Sequence, residues 1–201
     1  MKKNITRSII LAVCGALIMG VGIGMVSKVG IGTDPFTSVT NALSRISGLT
    51  LGTITALSNA VLCVIGYILC KKNVGPATVL FMFISKWPVD LGYRYMVSSD
   101  SLFINIILCI ISVFVIALGA ALFIVSGMGA NAYDSVTLGI CERLHIPDKF
   151  VIVKYAMDGF MFIVALFIKG PIGIGTVVSF GLIGLFMKFC QNVLTKTLKL
   201  E

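Results

Sequence analysis

A short motif whose residue types could bind a small solute occurs twice in this chain. The first copy, Gly30 to Thr40, reads GIGTDPFTSVT, and the second, Gly127 to Thr137, reads GMGANAYDSVT. Each copy interrupts a long apolar run, and the displacement of 97 residues between them is close to half of the 201-residue chain. Paired interruptions of this kind are the best sequence indication of a binding site in an internally repeated transporter.

The residue types indicate how each copy could supply half of a site. The glycines let the chain leave a helix, so Gly30, Gly32, Gly127 and Gly129 are predicted backbone hinges. Asp34 and Asn131 are good N-caps, which predicts short helices at about 35–47 and 132–144, each too short to cross a bilayer. The side chains predicted to contact a substrate are Thr33, Asp34, Thr37, Ser38, Asn131, Tyr133, Asp134 and Ser135.

These two short helices have two interpretations. As re-entrant half-helices, they would direct their N-terminal N–H groups and polar side chains into a central cavity. As interfacial amphipathic helices, they would lie at the membrane surface, and Asp34 and Asn131 would only cap them. The duplication favours the re-entrant interpretation.

Two further pairs of charged residues lie within apolar segments. Lys86 and Asp90 are four residues apart, as are Lys154 and Asp158, so each pair shares one helix face. Such pairs neutralise each other, or their lysines snorkel to the membrane surface, or they couple transport to a proton or ion. Asp158 lies deeper in its segment than Asp90 and is the better candidate for a proton site.

The composition is that of an integral membrane protein, with 58% hydrophobic and only 12% charged residues. The six cysteines form no CxxC pair, and the single histidine, His145, has no neighbouring ligand. No metal and no cofactor are therefore expected. No enzymatic activity is expected either, because no nucleophile is paired with a base. The net charge of +8 reflects topology, so nucleic acid is not an expected partner.

Six apolar runs are long enough, or nearly so, to cross a membrane. They are 9–26, 51–70, 77–92, 102–126, 150–168 and 173–189. The positive-inside rule places both termini in the cytoplasm, because most Lys and Arg residues then fall on one side. That side carries Lys2, Lys3, Arg7, Lys71, Lys72, Arg143, Lys149, Lys196 and Lys199.

Three spans in each half require the two halves to have opposite orientations. The predicted fold is therefore all-α, a single membrane domain over 1–201 with inverted repeats at 8–97 and 102–195. A second match, between the segments that precede the third and sixth spans, supports the repeat: GPATV at 75–79 and GIGTV at 173–177. The glycines between Gly15 and Gly24 are assigned to close helix packing.

Several of these segments resemble the YczE/YitT-like bacterial integral membrane proteins. The resemblance is carried by GIGTDPF at 30–36, LS at 43–44, GLTLGT at 48–53, GPAT at 75–78 and the acidic Asp90. It covers most of the chain and implies a multi-pass protein of the bacterial cytoplasmic (inner) membrane, with a role in transport. It does not supply a substrate.

The function that these patterns favour is a small secondary transporter or facilitator for a small polar solute. The alternative is a non-transporting membrane scaffold or accessory protein. The expected partners are the lipid bilayer and the solute, with a second copy of the chain as a candidate homodimer partner. The sign of the solute's charge stays open, because helix N-termini suit an anion whereas Asp34 and Asp134 suit a cation.

Overall fold

The computed structural model describes residues 5–197, apart from the side chains of Pro147 and Val151. Lys2, Lys3 and Lys199, which contribute to the predicted charge bias, lie outside the described residues. Within that range the secondary structure is helical. The α-helices are α1 (Ile5–Val29), α2 (Pro35–Ser47), α3 (Leu51–Leu69), α4 (Pro76–Ile84), α5 (Lys86–Tyr95), α6 (Leu102–Ser126), α7 (Ala132–Arg143), α8 (Phe150–Phe167) and α9 (Ile174–Thr197).

Four of these helices, α1, α3, α6 and α9, are long and apolar enough to cross a membrane. The chain therefore has the character of a helical membrane protein, as its composition predicts. The third predicted span differs, because it consists of two helices, α4 and α5, that are separated at Ser85. Pro88 accounts for this break, because proline has no N–H to bond to the Ile84 carbonyl and its ring crowds that group.

The centre of the structure is the contact between α1 and α6, which form the first helix of each half. Small residues allow these helices to approach closely: a Cβ on Gly15 would lie 2.8 Å from the Gly119 carbonyl oxygen. Phe81 and Phe123 pack edge-to-face beside this contact, with ring centroids 6.0 Å apart. The prediction that the glycines of α1 serve close helix packing is confirmed.

The helices of the two halves correspond in position and in contacts. Helix α6 begins and ends 97 residues after α1, which is also the displacement of the motif. Helix α1 packs against α5 and α6 against α9. The two short helices reach across the molecule, so that α2 packs against α8 and α7 against α3. Each short helix therefore contacts a helix of the other half.

The loops that precede the short helices are also held by the opposite half. The Ile31 carbonyl accepts a hydrogen bond from the Gly175 N–H at 2.9 Å, and the Met128 carbonyl accepts one from the Ala77 N–H at 3.2 Å. Two hydroxyl groups make a second, crosswise pair of hydrogen bonds, in which each half of the chain binds the other. Ser38 donates to the Pro171 carbonyl at 2.9 Å, and Ser135 donates to the Asn73 carbonyl at 3.1 Å. The GPATV and GIGTV segments thus hold the motif of the opposite half.

Gly32 and Gly129 make this crosswise packing sterically feasible. Their φ angles are +114° and +123°, a region that residues with a side chain rarely adopt. A Cβ on Gly129 would lie 2.7 Å from the Gly75 backbone, and a Cβ on Gly32 would lie 2.7 Å from the Gly173 nitrogen. A larger residue at either position would have to push the two loops apart.

Gly129→Ala is therefore expected to lower the free energy of unfolding by about 2–4 kcal/mol, from strained backbone and overpacking together. The matched control is Gly181→Ala in α9, where an added Cβ meets open space. That control should be neutral or slightly stabilising, because alanine favours a helix over glycine. Thermal melting of the detergent-solubilised chain measures both changes. Equal melting temperatures for the two variants would contradict the crosswise packing.

Candidate functional site

A cavity of about 120 Å³ lies where the first turns of α2 and α7 meet. The two motif copies face each other there, with the rings of Phe36 and Tyr133 at a centroid distance of 5.4 Å. Both N-cap residues, Asp34 and Asn131, line the cavity. Helix α8 contributes two charged residues, Lys154 and Asp158. The site thus combines residues from both halves of the chain.

The predicted caps begin both short helices. Asp34 Oδ1 accepts a hydrogen bond from the Thr37 N–H at 3.1 Å, and Asn131 Oδ1 accepts one from the Asp134 N–H at 2.8 Å. Gly48 ends α2 in the left-handed conformation, as expected for a glycine C-cap. The boundaries predicted for α2 are confirmed, and α7 ends at Arg143, one residue earlier than expected.

The two caps differ in their remaining contacts. The Asn131 side-chain nitrogen donates a hydrogen bond to Asp134 Oδ2 at 2.8 Å, a contact that an aspartate at this position could not make. In the first copy the residue three positions after the cap is Thr37, which carries no charge. Asp34 uses Oδ1 for the cap and leaves Oδ2 without a hydrogen bond among the described residues. Of the two caps, Asp34 is therefore the one whose side chain has an oxygen, Oδ2, that could accept a hydrogen bond from a ligand.

The charged residues of α8 bind partners on α7. Lys154 Nζ lies 2.7 Å from Asp134 Oδ1, and the Tyr133 hydroxyl donates to Asp158 Oδ1 at 2.6 Å. Sequence spacing pointed to Lys154 and Asp158 as partners of each other. Both do face the cavity, but each makes its closest polar contact with α7. The contacts therefore join α8 to the first turn of the second short helix.

Lys86 and Asp90 lie away from the cavity, so this part of the predicted coupling set is not brought together with the rest. Asp90 Oδ1 accepts the Gly52 N–H at 2.7 Å, and its Oδ2 accepts the Thr50 hydroxyl at 2.8 Å. These bonds satisfy the first turn of α3. Lys86 is exposed on α5. The geometry gives Asp90 a helix-capping role.

The predicted substrate-contact residues divide into three groups. Asp34, Thr37, Asn131 and Tyr133 line the cavity. Asp134 lines an adjoining cavity, which also includes Asn131. It is linked to the first cavity by its ion pair with Lys154, a residue of that cavity's wall. Thr33, Ser38 and Ser135 are buried, and their hydroxyl groups serve loop contacts: Thr33 and Ser38 lie 2.9 Å apart, and Ser38 and Ser135 hold the crosswise carbonyls.

Sequence reasoning missed two polar residues of the cavity wall, Asn59 on α3 and Ser179 on α9. Their exposed fractions are 3% and 2%, and both line the cavity. Asn59 could have been predicted from the sequence, because a polar amide in the middle of an apolar span indicates a functional residue. Ser179 gives no such signal, since serine is common at helix contacts in membranes.

Among the described residues, no group of three or more His, Cys, Asp or Glu side chains could hold a metal ion. The aromatic side chains Phe36, Tyr133 and Phe180 instead form part of the cavity wall. The site therefore combines carboxylates, one ammonium group, amide and hydroxyl oxygens, and aromatic faces. Such a set can bind a small polar molecule by hydrogen bonds and charge.

Comparison with known proteins gives relatives over most of the chain. A family model described as "Family of unknown function (DUF6198)" matches residues 6–192. An uncharacterized protein of Haemophilus influenzae is 23% identical over 179 residues, which cover 89% of this chain and 81% of that protein. The uncharacterized protein YyaS of Bacillus subtilis is 29% identical over 178 residues, which cover 86% of this chain and 87% of that protein. No solved structure matches.

The spare oxygen of Asp34 leads to a test of capping. Asp34→Asn should leave the melting temperature almost unchanged, because Asn caps as well as Asp, whereas Asp34→Ala should cost about 1 kcal/mol. The reverse change in the other copy, Asn131→Asp, should destabilise the protein, because it replaces a hydrogen bond to Asp134 by repulsion between two carboxylates. Thermal melting of the three variants is the measurement. Equal destabilisation by Asp34→Asn and Asn131→Asp would contradict the assigned contacts.

Proposed function

The chain belongs to the family of unknown function DUF6198, and we propose that it is a small secondary transporter or facilitator for a small polar solute. The solute would bind between the two short helices, in the cavity between their first turns. The relatives are bacterial. We place the protein in the bacterial cytoplasmic membrane, with both termini in the cytoplasm.

One observation carries this proposal: two half-sites from different halves of the chain converge on one cavity. Asp34 and Phe36 come from the first half, and Asn131 and Tyr133 from the second. In transporters with internal repeats, substrates bind at the interface between repeats, where discontinuous helices expose their N-termini. A scaffold would have no need of a charged cavity between these two N-termini.

An inverted repeat with six crossings accounts for the arrangement of the helices. Helices α1, α3 and the α4–α5 pair would make three crossings, and α6, α8 and α9 the other three. Helix α8 has 18 residues, and α4 and α5 together extend from Pro76 to Tyr95, so both have the length for a crossing. Three crossings per half would give the halves opposite orientations, and the reciprocal contacts α2–α8 and α7–α3 fit this symmetry.

The burial pattern of α2 supports a re-entrant helix in place of an interfacial one. In its first two turns the polar residues Thr37, Thr40 and Asn41 are buried, whereas at its end both Arg45 and Ile46 are exposed. An interfacial helix would turn its polar face toward water and its apolar face toward lipid. Here the first two turns of the polar face lie against protein, which suits a half-helix whose N-terminal part is inside the membrane.

The predicted cytoplasmic side is supported by contacts between two of its loops. Arg143, at the end of α7, donates to the carbonyls of Ile68 and Leu69 at 3.0 and 3.1 Å. Glu142 accepts a hydrogen bond from Asn73 at 3.2 Å. The basic segments 71–72 and 143–149 therefore lie at the same end of the molecule, as the positive-inside assignment requires.

Alternating access would arise from movement of one half against the other about the crosswise contacts. The Tyr133–Asp158 hydrogen bond joins α7 to α8 at the cavity. A proton on Asp158 would weaken this bond, because a neutral carboxyl group is a poorer acceptor than a carboxylate. Proton uptake at Asp158 would in this way weaken one of the two contacts between α7 and α8. The other contact, the ion pair of Lys154 with Asp134, would remain.

A cysteine in the cavity tests alternating access without knowledge of the solute. In a chain whose six cysteines are replaced by alanine, Thr37→Cys should react with a small membrane-impermeant methanethiosulfonate reagent from either side of a sealed vesicle. The controls are Lys72→Cys and Asp100→Cys, two exposed positions that should each react from one side only, the cytoplasmic and the outer side respectively. Reaction of Thr37→Cys from one side alone, or from neither, would favour the scaffold.

A further inference from the structure

The charges around the cavity are unbalanced. Lys154 is paired with Asp134, which leaves Asp34 and Asp158 as the two other charged groups of the wall. Each uses Oδ1 for a protein hydrogen bond, to the Thr37 N–H and the Tyr133 hydroxyl, and leaves Oδ2 without one among the described residues. The N-termini of α2 and α7 offset only part of this charge, about half an elementary charge each. The wall therefore has an excess of negative charge.

Lys154 demonstrates how this site holds an ammonium group. Its Nζ atom lies 2.7 Å from the Asp134 carboxylate and 5.0 Å from the centre of the Tyr133 ring. A carboxylate and an aromatic face are the two interactions that bind organic ammonium ions most effectively. In the first half Phe36 is the counterpart of Tyr133, and the carboxylate comes from the N-cap Asp34, since Thr37 is the counterpart of Asp134. Among the described residues, Lys154 of the second half is the lysine that lines the cavity. The first half thus also supplies a carboxylate and an aromatic ring to the cavity, but no lysine of its own among the described residues.

Two buried oxygen atoms add hydrogen-bond acceptors to the wall. The Ser179 hydroxyl is buried without a hydrogen-bond partner, and the neighbouring Cys109 thiol is directed at the Gly175 carbonyl, so the Ser179 oxygen is left as an acceptor. The Asn59 amide nitrogen donates to the Thr55 carbonyl at 2.8 Å, so its carbonyl oxygen is the atom available to a ligand. A buried polar atom without a partner is costly, and a ligand that donates hydrogen bonds would satisfy it.

The size and the lining of the cavity indicate an organic ion and not a metal ion. A volume of about 120 Å³ accommodates a molecule of a few non-hydrogen atoms. The wall includes Phe36, Phe81 and Phe180, whereas hard metal ions such as Ca²⁺ take six or more oxygen ligands. Aromatic side chains stabilise an ammonium ion and its alkyl groups together.

The geometry points to a small organic ammonium ion as the ligand of this cavity, bound by the Asp34 and Asp158 carboxylates against the Phe36 ring. This inference rests on the proposed transport function and specifies its substrate class. It decides between the anion and the cation that the motif alone left open. Lys154 would act as the resident counter-ion that keeps Asp134 neutralised while the free cation enters and leaves.

Three probes of similar size and different charge test this assignment on the purified full-length chain in detergent. They are ethylammonium chloride, sodium acetate and acetamide, compared at constant ionic strength in NaCl. Ethylammonium alone should raise the melting temperature and give a saturable calorimetric signal. Asp34→Asn keeps the helix cap and should weaken this binding about tenfold or more, since it removes a charged hydrogen-bond partner. Asp158→Asn should weaken it independently.

The matched control is Asp100→Asn, the same chemical change at an exposed position away from the cavity, which should bind ethylammonium like the original chain. Absence of ethylammonium binding to the original chain would overturn the inference. So would binding of acetate or acetamide in its place, an equal response to NaCl alone, or unchanged affinity in Asp34→Asn. Uptake of labelled ethylammonium into proteoliposomes is measured separately. Binding without uptake would overturn the transport proposal and leave the ligand class standing.

Discussion

The arrangement of the cavity depends on the hydrogen bonds that the two motif loops make with the opposite half of the chain. Each loop leaves helical geometry at a glycine, and its carbonyl groups need donors from elsewhere. The Gly175 and Ala77 N–H groups provide them, at Ile31 and Met128 respectively. Since each half satisfies the backbone of the other, neither half-site would keep its shape without its counterpart.

This mutual dependence places the first turns of α2 and α7 beside each other and determines which side chains meet. The rings of Phe36 and Tyr133 come into contact, and Asp34 and Asn131 reach the same cavity. The two copies differ in the charges that they bring to this place. The second copy carries Asp134, which Lys154 neutralises, whereas the first carries Thr37 at the corresponding position. The two similar motif copies thus line one cavity with different charges.

The local features of this fold were predictable from the sequence, because they depend on neighbouring residues. The Asp34–Pro35 start and the Gly48 end of α2 follow from capping preferences. The break between α4 and α5 was not predicted, although Pro88 lies within the third predicted span, 77–92. The motif and the GPATV and GIGTV segments were recognised as repeats, and their crosswise contact was not recognised. Sequence similarity shows that two segments are alike and does not show what each one touches.

The partners of the charged residues could not be predicted from spacing. Lys154 and Asp158 share a helix face, yet the Asp134 carboxylate and the Tyr133 hydroxyl are their closest partners. Both partners come from α7, whose position depends on tertiary packing. Asp90 likewise caps α3 by accepting a hydrogen bond from the Gly52 N–H, and Gly52 lies 38 residues earlier in the sequence. Pairing across helices is decided by three-dimensional contacts, which a single sequence does not encode as a local pattern.

Cross-linking in native membranes tests most directly the claim that the two motif copies meet. In a chain without its native cysteines, Phe36→Cys combined with Tyr133→Cys should be joined within the monomer by a short bifunctional thiol reagent. The comparison pair is Leu43→Cys with Tyr133→Cys, because Leu43 lies on the exposed face of the same helix. Rapid cross-linking of the first pair and little of the second is the predicted result. Equal cross-linking of both pairs, or none of the first, would contradict a shared site between the two half-helices.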